Sequence, residues 1–209
     1  MYKRQDKYPV EQVATPEGYA RNPELVINFY NERRKQLLEV RPNDGHLGLA
    51  ELEADFNVTV VTQNIDNLHE RAGSRRIIHL HGELTKVCSS RDPYNPHYIK
   101  ELKPDEYEVK FGDKAGDGTQ LRPFIVWFGE PVPEIETAVN YVEKADIFVI
   151  IGTSMNVYPA AGLLNYVPRE AEVYLIDPKP VDVHSMRRIH VIQKGASEGV
   201  RELRSLLQP

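Results

Sequence analysis

The sequence predicts an α/β fold: a parallel sheet with helices on both faces and a small irregular module inserted into it. Three observations predict it. Short apolar, β-branched runs alternate with stretches of helical periodicity. Several of those runs end in Gly, Asn, Asp or hydroxyl residues, the residues found where strands of an open α/β sheet meet a ligand. Between residues 82 and 121 the pattern lapses, with prolines and glycines in place of aliphatic side chains.

The elements follow in chain order. Thr15-Pro16-Glu17 and Asn22-Pro23-Glu24 each place a capping residue, a proline and an acid where a helix starts. The second signal opens a helix from about Pro23 to Val40, broken by Arg41-Pro42-Asn43, and another runs from about Gly45 to Asp55. The run Asn57–Thr62 reads as a buried strand, Asn64–Arg71 as a turn of helix closed by Gly73, and Arg76–His81 as a second strand. After the irregular stretch come strand Pro123–Phe128, amphipathic helix Pro133–Lys144 and strand Asp146–Gly152. Helix Pro159–Tyr166, strands Glu172–Asp177 and Arg188–Ile192, and helix Ala196–Leu207 complete the chain.

Composition narrows the function classes. The 209 residues are 41% hydrophobic and 27% charged, which suits a folded chain with an ordinary core. A net charge of −5 gives no general attraction to nucleic acid or anionic membrane, so neither is expected as a partner. No membrane span or signal peptide is visible, and the expected location is the cytoplasm. One cysteine, Cys88, excludes a disulfide framework within the chain and a four-cysteine zinc site.

Five segments carry chemistry. Gln63, Asn64 and Asp66 follow the strand ending at Thr62; they either line a ligand site or cap the next helix. On a strand, His79 and His81 share a face, and His81 stands against Gly82, which allows a ligand to approach closely. A zinc-binding histidine pair there lacks a third ligand nearby. Gly152-Thr153-Ser154 offers N–H and hydroxyl donors to a phosphate or ribose, or only a turn. Asp177 either accepts from ribose hydroxyls or forms an Asp-Pro turn. On the helix from Pro23, the wheel puts Arg33 in the middle of the apolar face of Val26, Phe29, Tyr30 and Leu37. Such a guanidinium needs a partner: a carboxylate held jointly with Tyr30, or an acid of the chain itself.

These pieces, in this order, resemble the sirtuins, the NAD-dependent protein lysine deacylases. The matching segments are Thr62–His69, Leu80-His81-Gly82, Arg122-Pro123 with Val126–Glu130, Gly152–Ser154 and Val157–Ala161. Tyr30 followed three residues later by Arg33 resembles the bacterial class that prefers acidic acyl groups. The resemblance implies a Rossmann-like NAD-binding domain over 6–82 and 122–209, with 83–121 as the inserted module. It implies His81 as general base on a ribose hydroxyl of NAD, with release of nicotinamide and transfer of the acyl group to ADP-ribose. Gln63, Asn64, Ile65, Asp66, Gly152, Thr153, Ser154, Asp177 and Ala196 would bind the cofactor. Tyr30 and Arg33 would bind a succinyl or malonyl carboxylate. Val126, Trp127, Phe128, Gly129 and Val157 would clamp an acyl-lysine protein or peptide as an added strand.

Two departures accompany the resemblance. The family's paired cysteines are reduced to Cys88, so zinc is expected to be absent. The family's opening strand and glycine-rich phosphate turn have no counterpart, so the chain is expected to be truncated and to bind NAD weakly. An inactive peptide-binding fragment and a mono-ADP-ribosyltransferase therefore stay open. A dehydrogenase is disfavoured by the lack of a GxGxxG turn.

Overall fold

A computed structural model of the chain describes residues 8–152, 160–180 and 188–207. Its contacts divide into two compact units. The first comprises Met1–Val40, Asn64–Asn67 and His81–Pro133; the second comprises Arg41–Gln63, Leu68–Leu80 and Glu134–Pro209.

The first unit opens with α1 (Val10–Val13), α2 (Pro16–Arg21) and α3 (Pro23–Glu39). The start signals work as read. Thr15 accepts from the Gly18 N–H, and Asn22 accepts from the Leu25 N–H, each ahead of a proline in the first turn. The unit's sheet is antiparallel, in the order β4 (Lys100–Glu101), β3 (Gly82–Ser89), β5 (Leu121–Ile125). Ile27, Val87 and Val109 are buried together, with Tyr19, Leu102 and Leu121 packed around them.

The expectation that 82–121 lacks regular structure is corrected by β3, which runs for eight residues. Its register with β5 shifts between Gly82 and Val87. From Val87 to Ser89 the pairing is regular, and Val87, Cys88 and Ser89 are buried in succession because both faces of the strand are covered there. Strand β5 also stops at Ile125, short of Phe128, and pairs antiparallel with β3.

The second unit carries the parallel strands. β1 (Val60–Thr62) pairs with β2 (Ile77–His79), and β6 (Ile147–Ile151), β7 (Glu172–Ile176) and β8 (Ile189–Ile192) form a second parallel sheet in that order. Helices α4 (Asp44–Glu51), α5 (Leu68–Ala72), α6 (Ile135–Val142) and α7 (Ala196–Leu207) complete it. Asn43 and His46 close a reciprocal cap on α4. Leu52, Tyr174, Ile176, Ile192, Val200 and Leu203 form the core, and Leu49, Phe56 and Val149 pack against it. The segment Ala160–Tyr166 is a 3-10 helix rather than an α-helix. Among the described residues, no helix is long and apolar enough to cross a membrane.

Candidate functional site

Helix α3 places its buried stripe differently from the wheel. Val26, Ile27, Tyr30, Arg34 and Leu37 are the buried residues, so the guanidinium in the stripe is that of Arg34. Arg33 is half-buried at its margin, with its Cζ 5.1 Å from the centre of the Phe29 ring. The wheel cannot decide which flank of a stripe meets the rest of the fold. Tyr30 is buried, and its phenol oxygen accepts from the Trp127 indole N–H at 3.0 Å. Burial raises that phenol to about 12, so it stays protonated at neutral pH.

Asn64, Ile65, Asp66 and Asn67 follow Gln63 after β1 and belong to the first unit. The Leu84 N–H donates to the Ile65 carbonyl at 2.7 Å, fixing this segment to β3. The Asn67 side-chain oxygen is buried and lacks a hydrogen-bond partner among the described residues. That orphaned acceptor suits a ligand carrying an N–H or O–H donor. Sequence reasoning passed over Asn67; its only signal was its place in the polar segment.

Strand β2 ends at His79, so the expected common strand face of His79 and His81 is not formed. His79 Nε2 lies 2.7 Å from a Glu70 carboxylate oxygen, while His81 belongs to the turn that leads into β3. Gly82 makes that turn possible. Its φ is +79°, and a Cβ there would lie 2.2 Å from the Phe124 carbonyl oxygen. The His81 carbonyl accepts from the Val126 N–H at 3.0 Å, which ties the turn to the end of β5.

The segment after β5 is held by an ion pair. Arg122 donates to both Glu130 carboxylate oxygens, at 2.7 and 3.0 Å, and to the Ile125 carbonyl at 2.8 Å. Glu130 also accepts from the Trp127 backbone N–H at 2.8 Å. The Arg122 Cζ lies 3.6 Å from the centre of the Trp127 ring, and the Tyr19 ring packs against that indole. Phe128 and Gly129 are exposed. The Phe128 N–H donates to the Ala14 carbonyl, so the N–H groups of Val126, Trp127 and Phe128 are all engaged within the chain.

In the second unit, Ile151 stands opposite Ile176, so Gly152 and Asp177 follow the carboxyl ends of neighbouring parallel strands. Gly152 has φ +60°, and among the described residues nothing lies within 4 Å of where a Cβ would stand. Open backbone at that end of a parallel sheet fits a dinucleotide. Asp177 accepts from the Lys179 N–H at 2.8 Å through one carboxylate oxygen, the turn geometry of the plainer reading. Its other oxygen has no partner among the described residues. Ala196 begins α7, beyond β8. Thr153, Ser154 and Val157 lie outside the described residues.

Comparisons with known proteins agree in direction. A profile of the Sir2 family matches residues 1–159. A Bacteroides thetaiotaomicron protein named NAD-dependent protein deacylase is 84% identical over 204 residues, covering 98% of this chain and 87% of its own length. A Helicobacter pylori protein of the same name is 46% identical over 196 residues, covering 94% of this chain and 83% of its own. The solved structure of a Sir2 homolog–NAD complex superposes with a TM-score of 0.80 at 33% identity, covering 98% of this chain and 81% of the homolog.

Proposed function

The chain belongs to the Sir2 family, and from that premise we propose that it removes acyl groups from protein lysines with consumption of NAD, favouring acyl groups that end in a carboxylate. Its fold is the Rossmann-like α/β fold of that family. The observation that carries the acyl preference is on α3: Tyr30, hydrogen-bonded by Trp127, and Arg33, adjacent to it on the helix surface. The phenol still has its own proton to donate, and the guanidinium supplies a fork that matches a carboxylate. A succinyl or malonyl group suits both.

Bound NAD supplies an electrophilic ribose carbon and nicotinamide as leaving group. His81 accepts the proton of a ribose hydroxyl at its imidazole, the side chain most often used as a general base. Asn64, Ile65, Asp66 and Gln63 line the nicotinamide and ribose end, and the orphaned Asn67 oxygen supports a polar occupant near that segment. Gly152, Thr153, Ser154, Asp177 and Ala196 serve the phosphates and adenosine. Val126, Trp127, Phe128, Gly129 and Val157 receive the acyl-lysine peptide. With the donors of Val126, Trp127 and Phe128 already engaged, added-strand pairing on that stretch falls to Gly129 and to free carbonyls. With one cysteine in the inserted module, we read it as held without zinc; the hydrogen bonds that Ser89, at the end of β3, and Thr119 make with Asp117 and with each other support that reading.

The test is nicotinamide release from NAD with succinyl-lysine and acetyl-lysine peptides. Arg33→Met is expected to cut activity on the succinyl peptide at least about tenfold more than on the acetyl peptide, the scale of one charge-assisted bidentate contact. Equal losses on both would remove the carboxylate reading. His81→Ala is expected to abolish release with either peptide, and retained activity would remove the deacylase reading.

A further inference from the structure

Helix α3 buries a guanidinium that the reading above leaves unused. Arg34 is 4% exposed. Its Nε donates to the Leu84 carbonyl at 2.7 Å, and its Nη1 donates to the Asn31 side-chain oxygen at 2.9 Å. Asn31 is fully engaged, donating to the Val109 carbonyl at 2.8 Å and accepting the Val109 N–H at 3.0 Å. Both partners of Arg34 are therefore neutral. Its Nη2 is buried and meets no acceptor among the described residues. Burial draws the guanidinium down to about 10, which leaves it charged at neutral pH. A buried charge without a counter-ion is costly. Neutral donors would serve Leu84 and Asn31 equally well, so the charge calls for another explanation.

Its position supplies one. Arg34 follows Tyr30 by four residues, one turn along the same buried stripe. The charged groups that act on the Tyr30 phenol are Arg122, Glu130 and Arg34. Arg122 and Glu130 neutralise each other through their two-pronged contact. One positive charge remains at Tyr30, whose own O–H goes to no acceptor among the described residues. A hydroxyl donor in a positive field of low dielectric favours an anionic ligand. We infer that Arg34 is a specificity-determining residue: its unpaired buried charge, one helical turn from Tyr30, selects acyl groups that end in a carboxylate. It acts through its field, whereas Arg33 acts by contact. This role rests on the carboxylate reading of Tyr30 and Arg33.

The experiment measures peptide affinity by fluorescence anisotropy with the whole chain. The probes are a peptide carrying succinyl-lysine and the same peptide carrying its neutral terminal amide. Arg34→Gln and Arg34→Met are expected to lower the succinyl-to-amide affinity ratio about tenfold, the Coulomb term for unit charges roughly 10 Å apart at an effective dielectric of about 20. Arg34→Lys keeps the charge and is expected to hold the ratio within about twofold. A merely structural role lowers both affinities equally and leaves the ratio unchanged; that result, or Lys behaving like Gln, overturns the inference. A measurement on the unaltered chain stands beside the variants. A buried charge is poorly screened, so most of the ratio should survive a rise from about 50 to about 500 mM salt, and its collapse to unity overturns the inference as well. The two readings fail separately. An unchanged ratio in Arg33→Met removes the carboxylate reading, whereas loss there with no change in the Arg34 variants removes only the field role.

Discussion

The Arg122–Glu130 pair sets the shape of the segment that carries Trp127, and its removal has a calculable cost. The two side chains are 5% and 12% exposed, so both charges are largely out of water. Glu130→Ala leaves Arg122 with only the Pro123 and Ile125 carbonyls and strips the Trp127 N–H of its acceptor. Breaking a buried pair by deleting one partner costs about 3–5 kcal/mol. For a chain of this size that lowers the melting temperature by roughly 10 °C. Glu130→Gln keeps an acceptor and loses only the charge, so about 1–2 kcal/mol is expected. The double replacement Arg122→Met, Glu130→Leu is expected to cost less than Glu130→Ala alone, because no charge is stranded. Trp127 is the chain's single tryptophan, and Arg122 lies over its ring, so intrinsic fluorescence during urea unfolding reports on this site directly. A Glu130→Ala midpoint within about 1 kcal/mol of the parent would refute the reasoning.

Two other changes test the surrounding structure. Gly82→Ala is expected to destabilise by about 2 kcal/mol or more, since the positive φ disfavours a side chain and the Phe124 carbonyl occupies its space; a thermal melt equal to the parent's would contradict this. Hydrogen bonds from Ser89 and Thr119 hold the Asp117 carboxyl down to about 2. The stability it contributes is complete above the ordinary carboxyl pKa of about 3.9 and is lost as pH falls through about 2. The gap in melting temperature between parent and Asp117→Asn should therefore narrow from about pH 4 downwards. A pH-independent gap would count against the clasp, as would a melt at neutral pH that shifts with a zinc chelator.

How far the site could be read from residue order varies with the range of the forces involved. Caps and prolines at Thr15 and Asn22 act within one turn, and the helices begin where those residues stand. Apolar runs marked the parallel strands β6, β7 and β8, with Gly152 and Asp177 at their carboxyl ends. The irregular pairing of β3 was invisible, because its buried run Val87–Ser89 defeats alternation and its partner β5 lies more than thirty residues on. Arg33 and Arg34 could not be ranked from the wheel, since a shift of one residue turns the helix by 100° and burial is settled by Leu84 and Val109, far along the chain. Asn67 showed nothing until its side chain was seen buried and unmatched.

The order of amino acids alone determined the helix starts, the parallel strands with polar ends, the single thiol and the ordered motifs that resemble one family. The tertiary structure alone decided that Arg34 is buried without a counter-ion among the described residues, that His81 sits in a glycine-dependent turn, and that Trp127 donates to Tyr30 across 97 positions. The physical reason is separation along the chain. Dihedral preference, capping and periodicity act between near neighbours, whereas a buried charge or a cross-fold hydrogen bond acquires its meaning from groups brought together only by folding.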